Sequence, residues 1–205
     1  MKRHVFVMLL IKITALKGDI TLKYVYHLVP NSMLGEKLIP LNQIKEIDAQ
    51  LYEKYMDKYN NSPDRKLLLE RKVPKLNCRW NDVVHFSPLH PNHIYQAMKE
   101  LNVNVPDEVK FYKIPIENLQ GNENAIYYYN QKYYGGPSAP ISPSNIDLLK
   151  IDDYEELDKI PKETFDYFQR ESNKRNRFGM FHLVPHILSI GQVSIENAEV
   201  ISWNE

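Results

Sequence analysis

The sequence predicts an α+β protein, and three observations carry that reading. Residues 19–29 (DITLKYVYHLV) alternate like a strand, with Ile20, Leu22, Tyr24 and Tyr26 on one face and Thr21, Lys23, Val25 and His27 on the other. Residues 41–59 carry Ile44, Ile47, Leu51, Tyr55 and Tyr59 at helical spacing. Residues 81–101 (NDVVHFSPLHPNHIYQAMKEL) join both kinds of element. Val83, Val84 and Phe86 make a short β-rich run, Pro88, Pro91 and Asn92 break it, and Ile94, Ala97, Met98 and Leu101 then recur with the helical period. Polar side chains stranded at such a strand end sit where function is often carried, and here they are His85, Ser87, His90 and His93.

Taken in order, the chain begins with an apolar run at residues 5–11, expected as a first strand or ordered leader. An export signal is the second reading, disfavoured because Lys12 interrupts the run and no small-x-small cleavage pattern follows it. The strand of residues 19–29 ends at Pro30, and residues 31–35 turn toward a short extended piece at 38–40. After the helix of 41–59, residues 65–71 read as another helical turn or two. Residues 72–79 read as a basic loop, Lys72, Lys75 and Arg79 standing close to Arg71. That stretch is either a solvated loop or an anion contact, a task for which Arg is well shaped. Beyond the 81–101 unit come a strand at 109–116, ended by Pro115, and a turn at 120–124. Residues 125–134 read as a hairpin arm turning near Asn130 and Gln131, and residues 135–143 as a Gly/Pro/Ser-rich connector. A strand at 146–151, helices over 153–160 and 161–172, a basic loop at 173–177, an apolar run at 181–190 and one or two last strands at 193–195 and 199–203 complete the chain.

At 205 residues the chain is long enough for one domain, residues 1–205, with a substantial core. Its 26 basic and 26 acidic residues cancel, which leaves no bulk charge to draw a nucleic acid, although a local basic face can still do so. One cysteine, Cys78, excludes an internal disulfide and allows a reducing, cytoplasmic location. It reads as a half-buried thiol rather than a nucleophile. Tyrosine, at 14 residues, suits binding surfaces and wet core edges alike. No stretch is apolar over a membrane's thickness.

Nucleotide-binding glycine loops, the hydrolase elbow and the zincin motif are absent. His90 and His93 have metal-ligand spacing but no obvious carboxylate or cysteine companion. His182 and His186 would meet only on a helix that Pro185 opposes, so no metal site is expected. Tyr26-His27-Leu28-Val29-Pro30 is echoed by Phe181-His182-Leu183-Val184-Pro185, five residues that suit a strand ending at a rim.

The order of a Tyr-His strand, a helix, an Arg-containing basic stretch and a strand reading Val-Val-His-Phe-Ser-Pro resembles the ADP-ribosyltransferase fold. Phe86-Ser87-Pro88-Leu89-His90-Pro91 followed by Tyr95 is similar to the DarT-type enzymes that modify DNA. Arg79, His85 and Ser87 are more loosely similar to RNA 2′-phosphotransferases. The resemblance spans residues 24–119 and, more weakly, the C-terminal strands. It implies two mixed, mainly antiparallel sheets with flanking helices around a nucleotide cleft, and NAD as substrate. The implied roles are His27 on a ribose hydroxyl, Arg71 or Arg79 on phosphate, Ser87 on the nicotinamide ribose, Tyr95 stacked on a ring, and His85 and His182 as catalytic or orienting groups. ADP-ribose would pass to a macromolecule, DNA or RNA, as in toxin–antitoxin systems.

Departure of nicotinamide builds positive charge on the ribose carbon, which a carboxylate in a water-poor cleft would stabilise. Residues 179–184, where the DNA-modifying branch holds its Glu, contain no acid; His182 lies there, and Glu196 and Glu199 follow later. Three readings stay open: a transferase with a displaced acid, phosphotransferase-like chemistry, and a catalytically silent relative that binds a nucleotide or a protein partner as an inhibitor or immunity element.

Overall fold

Alternation around His27 becomes β1 (Tyr24–Leu28), an edge strand whose neighbour is found far along the chain. The computed structural model describes residues 22–60, 63–129, 135–136, 139–175 and 178–205. The expectations for residues 5–11 and 19–21, the turn at Asn130 and Gln131, and the end of the basic loop at Asn176 and Arg177 lie outside those residues.

The element order is β1, β2 (Lys37–Leu38), α1 (Leu41–Ile47), α2 (Ala49–Asn60), α3 (Pro63–Leu68), β3 (Lys72–Val73), β4 (Cys78–Arg79), β5 (Val83–Phe86) and α4 (Pro91–Glu100). It continues with β6 (Lys110–Pro115), β7 (Asn124–Tyr127), β8 (Ile146–Leu148), α5 (Lys162–Asn173), β9 (His186–Ile190), β10 (Val193–Ser194) and β11 (Glu199–Ser202). The protein is α+β, and every strand pairing among the described residues is antiparallel. One main sheet has the order β1-β6-β11 and the other β5-β9-β7-β8, while β2 with β10 and β3 with β4 form two small ribbons. The main sheets meet where β1 passes the end of β5. There Tyr26 and Ser87 exchange both backbone bonds, at 2.9 and 2.8 Å. No described helix is long and apolar enough to cross a membrane.

The core has three parts. Val25, Phe86, Ile114, Leu119, Tyr154 and Ile187 pack where the two sheets join. Val73, Val83, Ala125, Tyr127, Ile146 and Leu188 bury the second sheet against the β3–β4 ribbon. Leu89, Ile94, Met98, Phe111, Phe168 and Trp203 fill the space under α4 and α5. Helix α4 already includes Pro91 and Asn92, expected as part of the break before it. Pro91 takes the first turn, and the His90 ring Nδ1 caps it by accepting from Asn92 N at 3.2 Å.

Three sequence expectations are corrected. The helix of residues 41–59 is two helices, because Asp48 adopts an extended conformation and its carboxylate accepts from Leu51 N at 2.9 Å, ending α1 and starting α2. The basic loop of 72–79 is the β3–β4 hairpin, with Lys75 and Asn77 at left-handed φ and Leu76 buried between them. The helix expected over 153–160 is a single 3-10 turn at Ile151–Asp153 followed by extended chain. Tertiary contacts override local preference there. Tyr154 Oη donates to Tyr24 O at 2.6 Å, and the Glu156 carboxylate accepts from Tyr24 N at 2.7 Å and from Tyr26 Oη at 2.8 Å.

Candidate functional site

A groove of about 250 Å³ runs between the end of β1, the loop and ribbon of residues 30–40, the α1–α2 pair, and β5. His27 reaches it from β1 and His85 from β5, with Asn81 just before β5 and Tyr55 and Tyr59 on α2. Tyr55 and Tyr59 are four residues apart, one helical turn, and so share a face of α2. That face is fixed across the groove, since Tyr55 Oη donates to Ser32 O and Lys54 Nζ to Ser32 Oγ at 2.6 Å. Most of the remaining lining is aliphatic, Lys37 is its cation, and none of the described lining residues is an acid.

The two histidines arrive by strand geometry. In β1 Tyr26 and His27 point to opposite faces, so Tyr26 meets Glu156 while His27 sits edge-on to Phe86 at 5.7 Å. His27 Nδ1 lies 2.6 Å from Leu28 O, and a carbonyl can only accept, so that nitrogen carries the proton. When the ring is neutral, Nε2 holds the lone pair. His85 stands 4.4 Å from the Trp80 ring and 6.4 Å from His186.

Behind His85 lies a wall built on a buried guanidinium. Arg71 is 6% exposed. Its Nε donates to Ala139 O at 2.8 Å and its Nη2 to Tyr127 Oη at 3.0 Å, and the charge lies over the Trp80 ring at 4.7 Å and the Tyr127 ring at 5.3 Å. A delocalised, weakly hydrated cation suits such an aromatic setting. His186 closes the wall, donating from Nδ1 to Val184 O at 2.7 Å. Burial first, and the nearby Arg71 charge second, push its imidazole down to about 4, against the Val184 carbonyl, which favours the proton.

Of the residues expected at the site, His27 and His85 share the groove, and Arg71 supports its wall without lining it. Ser87 is buried at the junction of the sheets. Its hydroxyl is turned into its own loop, accepting from Leu89 N at 3.0 Å and donating to Leu89 O at 3.1 Å. Arg79 is exposed, 3.6 Å from Glu70. Tyr95 packs on Trp203 at 5.4 Å under α4. His182 stacks on Tyr167 at 3.6 Å beside α5, and burial together with the Arg170 charge lowers its pKa. These last three lie outside the groove lining. Glu199 is paired with Lys113 at 3.0 Å, and Glu156 faces Tyr26, on the side of β1 away from His27. Asn81, Tyr55 and Tyr59 were missed as lining residues. The tyrosine repeat at 55 and 59 was a signal, read only as a helix face.

Cys78 is half-buried, and burial, with Asp82 and Glu123 nearby, pushes its thiol up to about 11. Iodoacetamide at pH 7.5 is therefore expected to alkylate it at least about tenfold more slowly than an unperturbed thiol. Labelling followed by mass spectrometry checks this, and a rate equal to that of free cysteine refutes it.

The chain matches no family model, no curated protein and no solved structure.

Proposed function

We propose that the chain is an ADP-ribosyltransferase-like protein that binds NAD, or a related nucleotide, in the groove between β1, α1–α2 and β5. The observation that carries this reading is that His27 and His85, from two strands 58 residues apart, line one groove together with Tyr55 and Tyr59. His27 Nε2 is suited to accept from a ribose hydroxyl, the tyrosine rings to stack on a heterocycle, and Lys37 at the rim to meet phosphate. Two antiparallel sheets joined beside a cleft support the same assignment of fold. A cytoplasmic location goes with it.

Transfer of ADP-ribose would need a carboxylate near the ribose carbon, and none of the described lining residues is an acid. That favours binding without turnover, the silent relative that engages a protein or nucleic-acid partner. Transfer to DNA, RNA or another macromolecule is the second reading, supported by the order of motifs around His27 and His85. Calorimetry with NAD tests binding. His27→Ala and His85→Ala are each expected to weaken it at least tenfold, and absence of NAD binding to the wild-type protein overturns the proposal. Nicotinamide released in the presence of nucleic acid or cell lysate selects the transferase; bound NAD that stays intact selects the silent relative.

A further inference from the structure

Asn81 is the one lining residue of the groove that is both almost completely buried, at 3% exposure, and left with a side-chain donor, Nδ2, that finds no acceptor among the described residues. Buried polar groups are nearly always satisfied, and leaving one unpaired costs more than an ordinary hydrogen bond contributes. Such a group persists where something else needs it. Its backbone is held from both sides. Trp80 N donates to Arg71 O at 2.7 Å, while the Asp82 carboxylate accepts from Asn42 Nδ2 at 2.6 Å and from Arg79 N at 2.7 Å. The amide is thus carried on a fixed turn, and its soft terminal torsion can bring the donor to a ligand.

The rest of the lining limits what that ligand can be. About 250 Å³ is less than the roughly 300–1,000 Å³ of pockets that enclose drug-sized ligands, so the groove holds a piece of a dinucleotide rather than the whole. Its walls are mostly aliphatic and aromatic, which suits a flat ring that buries its faces and needs few polar contacts. A planar base on a sugar meets these conditions. The base packs between aliphatic and tyrosine side chains, and the sugar hydroxyls turn toward the histidines.

We infer that Asn81 is the specificity-determining donor of the groove, and that its Nδ2 hydrogen-bonds an acceptor, a carboxamide oxygen or a ring nitrogen, on the base of a nucleoside-sized ligand. The inference rests on the groove being the nucleotide site proposed above. Its two sources within a dinucleotide, the nicotinamide and adenine halves, share this chemistry and are separated by the probes.

Nicotinamide riboside, adenosine and NAD are titrated by calorimetry into the wild-type protein and into Asn81→Leu, and both proteins are melted without ligand. The expected result is that one nucleoside binds wild type and binds Asn81→Leu at least tenfold more weakly, while the unliganded variant melts no lower than wild type. Should Asn81→Leu not fold, the Asn81 side-chain amide resonance of the wild-type protein carries the test: it shifts on adding the bound nucleoside in the expected case. Binding of neither nucleoside, unchanged affinity in the variant, a lower melting temperature of the folded variant or an unmoved resonance overturns the inference. NAD bound equally by both proteins overturns it and leaves the NAD proposal standing. Asn81-dependent binding of a nucleoside without NAD binding does the reverse.

Discussion

Trp203→Ala is expected to lower the unfolding free energy by about 3–5 kcal/mol, the range for deleting a large buried aromatic. Trp203 is 1% exposed and belongs to the core under α4 and α5, with Phe111, Phe168 and Ile94. It also ties four parts of the chain together. Its Nε1 donates to Pro106 O at 3.2 Å, its backbone N to Val109 O at 3.0 Å, and its carbonyl accepts from Asn92 Nδ2 at 3.1 Å at the start of α4. Alanine keeps the backbone bonds but leaves a cavity that Tyr95, packed on the indole at 5.4 Å, cannot fill without leaving its own place. Urea unfolding of the two proteins at matched pH measures the difference. A loss below about 1 kcal/mol would mean that this core collapses around the missing ring. Trp203→Phe, which keeps part of the apolar contact but loses one ring of the indole together with its donor, should lie between wild type and Trp203→Ala.

Stability should also fall between pH 6.5 and pH 4 in a way that depends on His186. Its imidazole is held at about 4 in the folded chain, below its ordinary value of 6.5. Above pH 6.5 neither state binds a proton there and nothing changes. As pH falls through 6.5 the unfolded chain takes up a proton that the folded chain refuses, so unfolding becomes easier until the folded pKa is reached. The span of 2.5 pH units corresponds to roughly 3 kcal/mol at most. The refusal comes from burial beside Arg71, with Trp80, His85, Tyr129 and Phe181 around the ring. His90 and His182 are shifted in the same direction, mainly by burial, and add to the fall. Denaturant titrations at pH 7 and pH 4.5 on wild type and His186→Gln isolate the contribution, because the carboxylates titrate alike in both. The variant should lose markedly less stability than wild type, and an equal loss would clear His186 of any part in it.

Much of the framework was legible because it rests on local periodicity. β1 carries a two-residue pattern and α4 and α5 a helical one, β5 and β6 read as short β-rich runs, and Pro161 marks the start of α5 within one residue. Asp48 was not legible as a break, since Ile44, Ile47 and Leu51 keep helical spacing straight across it, and a carboxylate that caps looks in sequence like one that is merely exposed. The β3–β4 hairpin was hidden because two-residue strands have no period to read. Residues 154–160 had helix-forming composition, but the bonds from Tyr154 and Glu156 to β1 hold the start of that stretch out of a helix.

The candidate site divides along the same line. His27 and His85 were singled out from strand position and resemblance. Arg71 was chosen for its charge, yet the fold buries that charge against Trp80 and Tyr127, residues whose part no spacing announced.

The sequence by itself determined which residues face together along each strand and helix, and hence that His27 stands opposite Tyr26 and that Tyr55 and Tyr59 share a side. Only the tertiary structure decided which of those faces meet. The exchange of backbone bonds between Tyr26 and Ser87, and the strand order β5-β9-β7-β8, join segments 61 and about 100 residues apart. Such pairings are selected by the packing of the whole core rather than by any local run. That is why a groove between β1, α2 and β5, and the unsatisfied amide of Asn81 within it, became visible only once the chain was folded.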